Sequence, residues 1–113
     1  MNSVSSIALS AMSFASTRLA RSAHNVANVN TNGFEASRAV AREVPNGGVA
    51  QAVQSTYTAS GGFARGAEEV LGSSTDLVSE TVEQLSAVHQ FKAAIKLLET
   101  DQEMMKSVLD IRA

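Results

Sequence analysis

The chain has no cysteine and no tryptophan, a single proline, and an aromatic fraction of only 4% over 113 residues. The absence of cysteine excludes disulfides and thiolate-held metals. It leaves the compartment open, because the cytosol and cysteine-poor exported structures fit it alike. The shortage of aromatics shapes the core. The hydrophobic fraction is 44%, but alanine and valine supply most of it. Small side chains bury little area each, so a monomer built from them has a thin core. That composition favours long helices in close contact, or association with other chains, within one domain or less.

Charge is also sparse. The net charge is −2 with no basic run, which argues against nucleic acid as the main partner. The first acidic residue is Glu35, so residues 1–34 carry only Arg18 and Arg21, whereas from Asp76 onward seven acids oppose four bases. The ends are complementary in sign, a mild aid to pairing them. No stretch approaches the ~20 apolar residues of a membrane span. The start lacks the basic and apolar regions of a secretory signal, so an exported form would use a route that reads no such signal.

Three segments are present. Residues 3–28 have helical periodicity in Val4, Ile7, Ala8, Ala11, Phe14, Ala15, Ala23 and Val26. A second stripe of Ser3, Ser6, Ser10, Ser13 and Thr17 runs beside them; small hydroxyl residues there admit another helix closely while weakening the isolated one. Such a helix is expected to be marginal alone and to order on assembly. Residues 35–74 mix Val40, Val44, Val49 and Val53 with polar residues around Pro45-Asn46-Gly47-Gly48, which predicts a hairpin. A glycine-rich stretch with Tyr57 and Phe63 follows. Residues 75–110 form the clearest element, with Val78, Val82, Leu85, Val88, Phe91, Ile95, Leu98, Met105 and Leu109 at three- and four-residue steps. Thr75 or Asp76 can cap it, and Glu80 and Glu83 suit the dipole of its first turns. At 1.5 Å per residue it would be about 50 Å long, the length of a coiled-coil or bundle helix. The fold class expected is mainly α, with long terminal helices pairing through Val4, Ile7, Phe14, Val78, Val82, Leu85 and Leu98 and a short β-hairpin or extended middle.

No catalytic constellation emerges. His24 and His89 are the only histidines, and neither HxxxH nor HExxH occurs. No serine lies in a GxSxG turn, and SGGFARG is not a phosphate cradle. Glu68 and Glu69 are adjacent, so they point apart. Met104 and Met105 read as seam fillers more simply than as a binding groove. No cofactor or metal is implied, and the chain reads as a non-enzyme.

The junction HNVANVNTNGF, residues 24–34, is the unusual feature. Asn25 and Asn28 share a helix face near its end, where carboxamides can bond the free terminal carbonyls or a neighbouring chain. Asn30, Thr31 and Asn32 mimic turn hydrogen bonds, Gly33 supplies a positive φ, and Phe34 is an apolar anchor after the turn. Chemistry alone reads the same residues equally well as an ordinary helix stop.

At these residues the sequence resembles the bacterial flagellar basal-body rod and hook family of axial proteins. The family's N-terminal signature runs Asn-x-Ala-Asn-x-x-Thr-x-Gly-Phe, here Asn25, Ala27, Asn28, Thr31, Gly33 and Phe34. Its C-terminal segment starts near an Asp-Leu pair, here Asp76 and Leu77, and continues as a long amphipathic helix. The matched regions are residues 1–38 and 75–113. Asn32 stands where the family commonly has proline and Glu35 where it has a basic residue. The short middle leaves no room for the large outer domains of distal rod or hook proteins and resembles the small proximal rod proteins. The resemblance implies that residues 1–34 and 75–113 form one coiled-coil inner domain, with 35–74 as the middle segment. It implies a structural subunit stacking with itself and other rod proteins in a helical array, a hollow drive shaft that transmits torque and lines the export channel. It further implies passage through the flagellar type III apparatus without a cleavable signal, to the periplasmic rod. The alternative is a non-catalytic helical-hairpin adaptor that binds a partner helix.

Overall fold

A computed structural model of the chain describes residues 3–55 and 72–112. The element order is α1 (Ser3–Ala27), β1 (Ser37–Glu43), β2 (Val49–Ser55) and α2 (Leu77–Arg112). The mainly helical class with a hairpin between two long helices is thus as expected. The glycine-rich stretch with Tyr57 and Phe63, and the Glu68-Glu69 pair, lie outside the described residues.

Neither glycine nor proline interrupts α1. At the start of α2 the Asp76 carboxylate takes Oδ1 to the Val78 N–H at 3.1 Å and Oδ2 to the Ser79 hydroxyl at 2.8 Å, a side-chain cap. The strands pair antiparallel from Ser37↔Ser55 to Glu43↔Val49, joined by the Pro45–Gly48 turn. There Gly47 and Gly48 hold φ of 81° and 102°, a region that glycine enters without strain.

The two helices run antiparallel. Ser5 Oγ donates to Asp101 Oδ2 at 2.7 Å near one end, and Ser22 Oγ donates to the Glu80 carbonyl at 3.1 Å near the other. Between them the buried positions of α2 are Glu80, Ala87, Ala94 and Asp101, one every seven residues. On α1 Ala8, Ala15 and Ser22 are buried with the same spacing. This is a 3.5-residue repeat built from small side chains, which lets two backbones approach closely. A buried methyl contributes only about 0.8 kcal/mol, so close dispersion contact and polar links at each end hold the pair.

That seam corrects the expected one. Val78, Val82 and Leu85 are 73%, 61% and 59% exposed, on a face of α2 turned away from α1. Ile7 is also exposed at 37%, close to the hairpin turn at Gly47. Phe14 is buried, whereas Val4 and Leu98 are half-buried. The physical reason is that α2 carries two heptad-like stripes, one large and one small. The short side chains of α1 are matched by the small stripe, and hydrogen bonds to Glu80 fix the rotation of α2 about its axis.

The hydroxyl stripe of α1 also has another role than expected. It receives the hairpin instead of a helix. Ser10 Oγ accepts from the Val49 N–H at 3.2 Å, Gln51 Nε2 donates to Ser13 Oγ at 2.8 Å, and Thr17 Oγ1 donates to Gln51 Oε1 at 2.6 Å. A Cβ at Gly48 would stand 3.0 Å from Ser10 Oγ, so the close approach depends on glycine at that turn.

Beyond Asp101, α2 runs on without α1, and residues 102–112 are all exposed. The molecule measures 74 × 26 × 16 Å.

Candidate assembly junction

The site is built around Asn25, which is 2% exposed. Its Nδ2 donates to the Ser37 carbonyl at 2.8 Å and to Glu80 Oε1 at 3.0 Å, and its Oδ1 accepts from the Ser37 N–H at 3.0 Å. The carboxamide thus satisfies both backbone polar groups of the first residue of β1, as a residue in a third strand would. It also neutralises the hydrogen-bonding demand of a buried carboxylate at the start of α2. The Asn25 carbonyl accepts from Thr75 Oγ1 at 3.1 Å. One residue therefore joins α1, β1 and the lead-in to α2.

Asn28 acts locally. Its Nδ2 donates to the His24 carbonyl at 2.9 Å and its Oδ1 accepts from Thr31 Oγ1 at 3.1 Å, so that carbonyl takes a second donor beside the Asn28 backbone N–H at 3.2 Å. Short turns follow, Val29 N to Val26 O, Thr31 N to Asn28 O and Phe34 N to Thr31 O. Gly33 has φ of 74°, and a Cβ there would meet nothing within 4 Å. Its glycine is needed for backbone conformation and not for space. Phe34, half-buried, places its ring edge-on to His24 with centroids 5.5 Å apart. The strap before α2 then closes the junction: Ser74 N donates to the Phe34 carbonyl at 3.0 Å and Ser74 Oγ accepts from Ala36 N at 2.8 Å.

Two turns along α1, Arg18 clamps α2. Its Nε and Nη2 meet the two Glu83 oxygens at 2.7 and 3.0 Å, and Nη1 and Nη2 donate to Gln90 Oε1 and Ser86 Oγ. The guanidinium carbon lies 5.9 Å from the Phe14 ring centroid. The bond from Arg18 holds the Glu83 carboxyl below the usual carboxylate range, and the same bond raises Arg18. The complementary charge of the two ends is realised in this pair. The Asp76 carboxyl is likewise lowered, by the Ser79 hydroxyl first and the Val78 N–H second.

Of the signature residues, Asn25, Asn28, Thr31, Gly33 and Phe34 form one continuous structure with the strap. Ala27 is the exposed last residue of α1, and Leu77 opens α2 at 50% exposure. Ser22, Ser37, Ser74, Thr75 and Glu80 were not anticipated as members. Glu80, read as a dipole partner, is 4% exposed and bonded by Asn25. The signal that marks it is its heptad phase with Ala87, Ala94 and Asp101. His24 lies in the last turn of α1, and His89 lies exposed along α2. Among the described residues no group of three or more His, Cys, Asp or Glu could hold a metal, and no helix is long and apolar enough to cross a membrane.

The second notable surface is apolar. Val78, Val82 and Leu85 lie near the junction, while Met104, Met105, Val108, Leu109 and Ile111, all at least half exposed, lie on the overhang. Val78 and Val108 are about 45 Å apart along the helix. No family model matches the chain, and no curated protein matches it.

Proposed function

We infer that the chain is a structural subunit of the bacterial flagellar basal-body rod, of the kind its junction and C-terminal sequence resemble. The observation that carries this reading is the pair of apolar patches at opposite ends of one long helix. A single chain cannot bring them together, because α2 is continuous between them. Joining one patch to the other on successive copies is a heterologous contact that does not close, the kind that makes filaments. Exposed apolar patches of this kind mark interaction sites. The partners are then further copies and other rod proteins, with delivery through the flagellar type III export apparatus to the periplasmic rod. The junction sets the angle between helix pair and hairpin, so each subunit offers the same shape to its neighbours.

The helical-hairpin adaptor is the second reading. It is favoured by the closed polar network, for among the described residues no buried side-chain nitrogen or oxygen lacks a partner. Mass spectrometry of purified basal bodies against the soluble fraction of the source cells separates the two. Enrichment in basal bodies is the expected result. Absence there, together with a folded, non-assembling soluble protein, would establish the adaptor.

A further inference from the structure

The chain contains two Asn-Gly pairs, Asn32-Gly33 and Asn46-Gly47, and both are exposed. We propose that Asn32 is a site of spontaneous backbone-assisted deamidation in the folded protein and that the fold protects Asn46 from the same reaction. The Gly33 nitrogen attacks the Asn32 side-chain carbonyl carbon, forming the ring C–N bond of a succinimide. The Cγ–Nδ2 bond breaks, and Nδ2 leaves as ammonia with the proton lost by Gly33. Water then opens the ring at either carbonyl, giving aspartate or isoaspartate. No oxidant or cofactor enters, and the net change is the replacement of NH₂ by OH.

The two sites differ in what holds the glycine nitrogen. Thr31 to Phe34 form a β-turn closed by the Phe34 N–H to Thr31 carbonyl bond at 3.2 Å. Gly33 has φ of 74° and no non-glycine described residue has positive φ, which defines a type II turn with Asn32 at its second position. Among the described residues no hydrogen bond engages the Gly33 N–H or the Asn32 carboxamide. Ring closure requires the Asn32–Gly33 peptide plane to rotate. That plane has no bond of its own to break, and the Gly33 Cα faces open space.

At the hairpin the reacting nitrogen is itself a donor, Gly47 N to Val44 O at 2.9 Å. The turn also lies against α1, where Cβ positions at Gly47 and Gly48 would stand 3.2 Å from Ile7 Cδ1 and 3.0 Å from Ser10 Oγ. Rotation there must break a hydrogen bond and move the turn off the helix. The product at Asn32 would place a negative charge just past the C-terminal end of α1, beside Glu35, where the helix dipole opposes it. Isoaspartate would also lengthen the backbone between α1 and Phe34 by one methylene.

The test is timed incubation of the folded chain in mildly alkaline buffer, followed by tryptic mapping. The two sites fall on separate peptides, residues 22–38 and 43–65. Fragmentation places the mass gain, and Asn32→Gln must remove the signal from the first peptide. We expect Asn32 to convert about tenfold faster than Asn46, the factor that one retained hydrogen bond is worth, and the two rates to converge in urea. Equal or faster conversion of Asn46 in the folded chain would overturn the proposal. So would a difference that persists in urea, since local sequence and not the fold would then be its cause.

Discussion

Replacing Asn25 by alanine should be the most damaging single truncation at the junction. The change removes three hydrogen bonds, two to the backbone of Ser37 and one to Glu80. Ser37 is half-buried, so water can reach its orphaned groups in part, and each is left with about 1 kcal/mol of penalty. Glu80, at 4% exposure, keeps a carboxylate with its Asn25 donor gone, at about 2 kcal/mol. The sum is about 4 kcal/mol, a large share of the 5–15 kcal/mol that holds a domain together. Urea unfolding followed by helical circular dichroism should show the midpoint fall by roughly 2–3 M, taking a slope of about 1.5 kcal/mol/M for a chain this small. Asn25→Asp should do no better, because it exchanges the donor for a second anion beside Glu80. A loss below about 1 kcal/mol for the alanine variant would refute the assignment of Asn25 as the link between α1, β1 and α2.

The two stripes of α2 should separate by mutation. Ala87→Leu inserts bulk into the close helix seam and should cost about 1–3 kcal/mol, read by thermal unfolding. Leu85→Asp, on the exposed face, should change stability by less than about 0.5 kcal/mol yet abolish assembly in sedimentation or electron microscopy; normal polymers would exclude that face. Because the folded Glu83 carboxyl lies below its ordinary value, its contribution is present above the unfolded pKa of about 4.3 and disappears as pH falls through the lower folded value. Arg18→Gln should therefore cost about 1 kcal/mol at neutral pH and flatten the stability profile below pH ~5, as followed by unfolding across an acid series. Gly33→Ala should cost about 1 kcal/mol through its positive φ alone, with no steric component. Gly48→Ala should add positive-φ strain and displace the Ser10 hydroxyl, visible as lost protection of the Val49 amide that bonds it.

Much of this fold is legible in sequence because its signals are local. The step pattern of residues 3–28 and 75–110 marks two helices, and the structure places them at Ser3–Ala27 and Leu77–Arg112. Pro45 to Gly48 marks the turn between the strands, and Thr75 or Asp76 marks a cap, which Asp76 supplies. The seam was hidden for a physical reason. Periodicity weights large apolar residues, so Val78, Val82 and Leu85 stand out, whereas alanines and two acids at sevens carry no hydrophobic signal. Asn25 shows the same limit. Its spacing from Asn28 places it on the end of a helix, but its partners Ser37 and Glu80 are 12 and 55 residues away, and only the folded chain brings them together. Arg18 and Glu83 were foreshadowed by the opposite charges of the two ends, though not as a bidentate pair.

The antiparallel pairing of the first and last elements has a kinetic side. Ser5 meets Asp101, so a chain delivered N-terminus first, from a ribosome or through a narrow conduit, holds α1 without its partner until most of α2 has emerged. The links from Ser5 to Asp101 and from Arg18 to Gln90 close loops of 96 and 72 residues, and such long loops must close before their contacts return any stabilisation. Early emergence yields at most a fluctuating helix with a hairpin to rest on. The last third of the chain is thus the trigger for its folding. A truncation that removes α2 from Ala87 onward should leave a chain that no longer assumes this shape at all.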